Sequence, residues 1–129
     1  FRSAPETMLF PQQRKSAEQC IWFRIRGPLP DDQALHSALL AYLSDMTLLN
    51  TALLAHGRTI FDPQLQVASL DHALWLHNAF RVDDWLLYAQ ESPIAGHARA
   101  LTRGQIFTRN GNLVASVAQE GLIRLRARN

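Results

Sequence analysis

The stretch DDQALHSALLAYLSDMTLLNTALLAH, residues 31–56, is the one segment of this 129-residue chain that is long and apolar enough to predict a central helix. Apolar side chains recur at three- and four-residue steps, as at Leu35, Leu39 and Leu43, and alanines and leucines fill much of the remaining circumference. A helix that is apolar on most sides must be covered on most sides. We therefore predict that the rest of the chain wraps around it.

Asp45 is the discordant residue of this helix, because it places a carboxylate after Ser44 inside an apolar run. An ion is costly in such a place unless hydrogen bonds or water compensate. Two interpretations follow. Asp45 is either an interior carboxylate with a chemical role or the N-cap of a second helical segment, MTLLNTALLA, after a break at Ser44.

The segments around this helix have the alternation of strands. Residues 1–18 are predicted to be an irregular lead-in with at most one edge strand, and strands are predicted at 19–26, 65–77, 85–92, 99–108 and 113–126. Pro93 is expected to end the third of these. Asn110-Gly111 predicts a hairpin between the last two, since both residues tolerate positive φ. Residues 1–129 are thus predicted to form one α+β domain with a mostly antiparallel sheet curled around one helix.

Gln119 is a polar residue on the apolar face of the last predicted strand, which it shares with Ala115, Val117 and Gly121. That face should look toward the helix and Asp45, and a buried amide must find hydrogen-bond partners. The two side chains, meeting in a cleft, would hold a water for attack on an electrophilic carbon. They would equally well bond each other and only fix the core, and both interpretations remain open.

Composition and motifs argue against several function classes. The net charge of +2 comes from 13 basic and 11 acidic residues spread along the chain, which does not indicate nucleic-acid binding. No apolar run approaches the roughly 20 residues of a membrane span. No phosphate-binding loop, dinucleotide fingerprint or serine-hydrolase elbow occurs.

Cysteine and histidine give no metal or cofactor site. Cys20 is the only cysteine, so there is no intrachain disulfide or thiolate-rich metal site, and a role as thiol nucleophile would be an assumption. In the 65–77 strand, His72 and His77 are an odd number of residues apart and should point to opposite faces. Alternation there predicts one buried face, with these members: Ala68, Leu70, His72, Leu74 and Leu76.

Four segments together resemble the C-terminal half of the type II acyl-coenzyme A thioesterases, which have a double hot-dog fold. They are PDDQALHSALLAYLSDMTLL, VASLDHALWLHNAF, DDWLLYAQES and GNLVASVAQEGLIR. The resemblance implies a hot-dog fold and three site residues. Asp45 matches the family's water-activating Asp, Gln119 matches its Gln, and Ser69 stands where Thr is usual. Because alternation places Ser69 on the less apolar face, a bulge or a strand buried on both sides is needed for it to reach Asp45.

The implied reaction is hydrolysis of an acyl-CoA thioester to free fatty acid and CoA, without a covalent intermediate and with no cofactor. Asp45 would be the general base or water anchor, with Gln119 and Ser69 completing the water's hydrogen bonds. Apolar surroundings would disfavour the ionised form of Asp45. The family joins two hot-dog repeats and this chain resembles only the second, so the expected partner is a second hot-dog domain or another copy of this chain.

Two other functions stay open. A hot-dog enoyl-CoA hydratase or dehydratase would need a histidine acid/base, for which His36 and His72 are available, and a non-catalytic acyl-CoA-binding or dimerisation half-domain would use Asp45 and Gln119 structurally. The opening FRSAPETMLF lacks the order of a signal peptide and begins with Phe1, which suggests missing upstream residues. The ending lacks a peroxisomal Ser-Lys-Leu, so a cytoplasmic location is expected.

Overall fold

The computed structural model describes residues 2–3, 17–54 and 62–125. Most of the predicted lead-in, the end of the predicted helix at 55–56 and the last four residues lie outside these ranges. The described elements, in chain order, are β1 Arg2–Ser3, β2 Ala17–Phe23, α1 Gln33–Ser44, α2 Leu48–Leu54, β3 Leu65–Ser69, β4 Ala73–Leu76, β5 Leu86–Gly96, β6 Arg99–Thr108 and β7 Leu113–Leu125. No helix within them is long and apolar enough to cross a membrane.

All strand pairs of the described sheet are antiparallel, and the strand order is β1-β2-β5-β6-β7-β3, with β4 also paired to β7. Helix α2 packs against β2, β5, β6 and β7. The predicted α+β architecture, a sheet curled around a central helical segment, is therefore confirmed. The predicted inner faces of β2 and β7 are also confirmed, because Ile21 and Phe23, and Ala115 and Val117, are buried.

The central helix is interrupted, which corrects the prediction of one continuous helix. Asp32 caps the start of α1 by accepting a hydrogen bond from the Ala34 N–H at 3.0 Å. At the other end the Ser44 hydroxyl lies 2.8 Å from the Ala41 carbonyl, a side-chain bond that competes with the helical one. Asp45 is the C-cap of α1, so the break at Ser44 is real and the N-cap interpretation is wrong.

The predicted strand 65–77 is two short strands, β3 and β4, which pair with different parts of β7. Between them the Leu70 N–H donates to the Glu120 carbonyl at 2.9 Å, and the Glu120 N–H donates to Asp71 Oδ1 at 2.8 Å. This interruption changes the phase of the alternation. The predicted buried face is therefore wrong in β3, where Leu65 is buried, Val67 is half-buried and Ala68 is exposed. Leu70, just after β3, is 50% exposed, and in β4 only Leu74 is partly buried, while Leu76 is 49% exposed.

Two turn predictions also need correction. Strand β5 continues past Pro93 because a register shift between Glu91 and Ile94 takes the proline out of the ladder. In the β6–β7 hairpin only Gly111 of the Asn110-Gly111 pair has positive φ, at 88°. The two-residue turn with both φ positive joins β5 to β6 instead.

That β5–β6 turn is made by His97 and Ala98, with φ values of 55° and 61°. An L-residue in this left-handed region costs roughly 1–2 kcal/mol, which glycine avoids. We expect Ala98→Gly to raise the free energy of unfolding by about 1 kcal/mol. Urea unfolding of Ala73→Gly provides the control. Because Ala73 is an exposed residue of β4, glycine there should lower stability by about 0.5–1 kcal/mol. A loss of stability in Ala98→Gly would contradict the prediction.

The core between helices and sheet contains one buried tyrosine and one buried histidine of structural importance. The Tyr88 hydroxyl donates to the Ser44 carbonyl at 2.7 Å, and burial, with a smaller effect of Asp45, raises its pKa above the usual range. His36 is 1% exposed, and its Nδ1 accepts from the Val82 N–H at 3.0 Å. Its Nε2 then donates to the Pro30 carbonyl at 2.9 Å. Both ring nitrogens serve the fold, so His36 has no free nitrogen for acid/base chemistry.

Candidate active site

The three residues that the sequence singled out come together at the break between α1 and α2. Asp45 closes α1, Ser69 is the last residue of β3, and Gln119 lies in β7 opposite the interruption between β3 and β4. The break in the helix and the break in the edge strand therefore face each other. Both irregularities serve to bring short polar side chains to one point.

Gln119 is the buried centre of the group, with 0% exposure. Its Nε2 donates one hydrogen bond to Asp45 Oδ1 at 2.7 Å and a second, short one to Ser69 Oγ. Its main-chain carbonyl accepts from the buried Thr102 hydroxyl at 3.0 Å. Side chain and backbone of Gln119 are thus both fixed.

Ser69 reaches Asp45 because of the interruption that follows it. Its hydroxyl lies 3.5 Å from Asp45 Oδ1, at the long end of hydrogen bonding. In β3 it shares the inward face with Leu65 and Val67, whereas unbroken alternation had placed it away from the helix. An irregularity of the strand was the requirement for this contact, and the structure contains one.

Asp45 is more exposed than expected, since 52% of its side chain is accessible. It lies at a helix end rather than inside an apolar surround, so its carboxylate is open to water in this chain. Apolar side chains adjoin the opening. Tyr42 lies one turn before Asp45 and is 71% exposed, while Met46 and Leu70 next to the trio are 48% and 50% exposed.

His72 is a fourth member of the site. Its Nδ1 lies 3.1 Å from Gln119 Oε1 and 3.9 Å from Asp45 Oδ1, and its Nε2 lies 2.8 Å from Ser44 Oγ. The sequence offered His72 only as an acid/base candidate for a hydratase and as a member of a predicted buried face. It was missed here because Ser69 and His72 are three residues apart, and only the phase change between β3 and β4 turns both toward Gln119.

Cys20 and His77 lie elsewhere and have other surroundings. Cys20 is on β2 opposite Ala89 of β5, and burial, then the charge of Glu18, raises the pKa of its thiol. His77 Nε2 lies 2.9 Å from the Ser116 hydroxyl. Neither residue shares a hydrogen bond with the trio among those that the structure describes.

Comparison with known proteins points to a single family. The family model described as acyl-CoA thioesterase matches residues 2–122. Acyl-CoA thioesterase 2 of Haemophilus influenzae is 43% identical over 108 residues, which cover 84% of this chain and 38% of that protein. Acyl-coenzyme A thioesterase 8 of Homo sapiens is 41% identical over 118 residues, which cover 88% of this chain and 35% of that protein.

Solved structures support the same relationship and the hot-dog fold. An acyl-CoA thioesterase II from Mycobacterium marinum superposes with a TM-score of 0.88 at 53% identity, covering 98% of this chain and 48% of that chain. A hypothetical thioesterase of Streptococcus pneumoniae, at 14% identity and a TM-score of 0.59, shares the fold alone. This chain spans about half or less of the length of the relatives it matches most fully.

Proposed function

Given that the chain belongs to the acyl-CoA thioesterase family, we propose that it carries the water-activating site of a hot-dog thioesterase. The reaction is hydrolysis of an acyl-CoA thioester to a fatty acid and CoA. The observation that carries the proposal is the convergence of Asp45, Gln119 and Ser69 through hydrogen bonds at one opening. These are a base and two polar groups that fix its position.

The hydrogen bonds indicate a different role for each of the three residues. Both amide hydrogens of Gln119 are used within the trio, so Gln119 positions Asp45 and Ser69. Ser69 Oγ accepts from Gln119, and its own hydrogen makes only the long 3.5 Å contact with Asp45 Oδ1, so this hydrogen can turn to a water instead. Among the described residues no hydrogen bond reaches Asp45 Oδ2, which leaves this oxygen to accept from the same water.

The chemical step follows from this arrangement. Ser69 orients a water, and Asp45 takes a proton from that water. At the same time the oxygen of the water bonds to the carbonyl carbon of the thioester. The carbon–sulfur bond then breaks, and the CoA thiolate recovers the proton. No acyl-enzyme forms, because the water attacks the thioester carbon directly and no side chain becomes bonded to it.

A second hot-dog domain completes the site in this proposal, either as another part of a longer chain or as another copy of this one. Strands β3 and β4 lie at the edge of the described sheet and pair only with β7. Exposed large apolar side chains cluster on and beside this edge: Tyr42, Met46, Leu70, Trp75 and Leu76. Covering them would exclude water from the acyl chain and would desolvate Asp45.

The test is a panel of acyl-CoA esters with short, medium and long chains, assayed for both CoA release and free carboxylic acid. We expect equal amounts of the two products. Binding without release would instead support an acyl-CoA-binding domain, and loss of the enoyl absorbance without CoA release would support a hydratase. The panel should be run on this chain and on any longer form that contains it.

Cys20 is expected to be unnecessary for this reaction. Burial raises the pKa of its thiol, so the reactive thiolate is scarce at neutral pH, and β2 lies at the other side of the sheet from β3. Cys20→Ser, or protein alkylated at Cys20, should keep kcat within about twofold, since a thiolate nucleophile would contribute far more. Loss of hydrolysis in Cys20→Ser, with the fold intact by circular dichroism, would indicate a thiol mechanism.

A further inference from the structure

The His72 side chain connects the end of helix α1 to strand β7, the two elements that carry Asp45 and Gln119. Its side chain is 23% exposed, with Nε2 against Ser44 at the end of α1 and Nδ1 against Gln119 in β7. Asp71, its neighbour, is bonded to the Glu120 N–H, which holds the 70–72 segment in place. The imidazole therefore connects the helix break to the buried amide.

The chemistry of the partners determines which atoms carry hydrogen. Asp45 Oδ1 only accepts, so the end of the Gln119 amide that faces it must be Nε2. Gln119 Oε1 then faces His72 and also only accepts. His72 Nδ1 must therefore carry a hydrogen and donate it to Gln119.

Both protonation states of the ring satisfy this requirement. In the neutral ring, Nε2 accepts from the Ser44 hydroxyl, which then does not donate to the Ala41 carbonyl. In the imidazolium, Nε2 donates to Ser44, whose hydroxyl then donates to the Ala41 carbonyl 2.8 Å away. Gln119 receives the Nδ1–H bond in either case.

We propose that His72 is a positioning residue of the thioesterase site, which fixes the Gln119 amide with its nitrogen toward Asp45 and Ser69. Without the Nδ1–H donor, no hydrogen bond from the described residues to Oε1 would oppose rotation of the amide. A rotated amide would place an oxygen against the Asp45 carboxylate and would leave Ser69 without its donor. This inference rests on the proposed function for its effect on turnover, but the hydrogen-bond assignment stands independently of it.

Two variants separate this role from simple anchoring to the helix. The side-chain nitrogen of asparagine can take the place of His72 Nδ1, and that of glutamine can take the place of Nε2. His72→Asn should keep the bond to Gln119 and retain kcat within about threefold, whereas His72→Gln should lower kcat on the order of 10-fold to 100-fold with KM nearly unchanged. His77→Gln is the control, since His77 bonds Ser116 outside the site, and it should leave kcat unchanged.

Nitrogen-15 NMR of the wild-type chain reads the assignment directly. We expect protonated Nδ1 on His72 across neutral pH, and two separate, exchange-protected Gln119 amide protons that persist in His72→Asn and broaden in His72→Gln. An Nε2–H tautomer with unprotonated Nδ1, or equal kcat in the two variants, would overturn the proposal. If neither the wild-type chain nor any longer form that contains it hydrolyses acyl-CoA while the NMR result is as expected, the proposed function fails and the hydrogen-bond assignment does not.

Discussion

Asp45→Asn is expected to lower kcat for acyl-CoA hydrolysis by about 10²–10⁴-fold, the usual range for loss of a general base. An amide at position 45 can still accept from Gln119 through its oxygen, so the trio keeps its geometry, but it cannot take a proton from water. The fold should be unaffected because Asp45 is a half-exposed C-cap. The measurement is CoA release under saturating substrate, with thermal unfolding of the same samples.

Asp32→Asn is the matched control for this variant, because Asp32 is the carboxylate at the opposite end of α1. Asparagine is as good an N-cap as aspartate, so both stability and kcat should be retained. Turnover of Asp45→Asn close to that of Asp32→Asn would remove Asp45 from the role of base.

The second large effect is expected from Gln119→Met, which keeps the length of the side chain but removes its hydrogen bonds. Asp45 and Ser69 both lose their donor, so we expect kcat to fall by about 10²–10³-fold, as for other lost preorganised donors. The variant also leaves buried polar groups around position 119 without their hydrogen-bond partners, which should lower the free energy of unfolding by about 1–3 kcal/mol. Comparing kcat with urea unfolding separates the two effects.

Gln90→Met is the control for Gln119→Met, because Gln90 is also a buried glutamine of the sheet, with 3% exposure. Gln90 Oε1 accepts from Thr51 at 2.8 Å and Gln90 Nε2 donates to Thr47 at 2.6 Å, away from the trio. This variant should lose stability to a similar extent while its folded fraction keeps normal kcat. Equal losses of kcat in the two variants would mean that Gln119 acts only through stability.

The sequence predicts the parts of the fold in which one residue pattern allows one structure. Strands β2 and β7 alternate over most of their length, and the residues predicted to face inward, Ile21, Phe23, Ala115 and Val117, are buried there. Val114 is buried as well, where the pairing of β7 with β6 shifts register. The segment 65–77 is apolar on both faces, so alternation alone does not fix which face is buried or where the phase changes. The helix break is similar, since the Ser44 hydroxyl can bond the Ala41 carbonyl or leave the helix undisturbed, and only packing decides.

In the candidate site, too, some residues can be predicted from the sequence and others depend on the fold. Asp45 and Gln119 are visible because each is a polar residue in an apolar pattern, but the exposure of Asp45 depends on the helix break. Ser69 was placed only by resemblance to the family. The orientation of His72 toward the site depends on the strand interruption. Its partner, Gln119, lies in β7, so the pattern of residues around His72 does not predict the contact.

A single turnover in ¹⁸O-labelled water, with enzyme in excess over acyl-CoA, tests most directly whether a water held by Asp45 and Ser69 attacks the thioester. We expect the fatty acid of the first turnover to carry one ¹⁸O atom and the peptide containing Asp45 to carry none. Unlabelled acid together with ¹⁸O in the Asp45 carboxylate would show that Asp45 attacks the thioester itself. That result would rule out direct attack by a water held by Asp45 and Ser69.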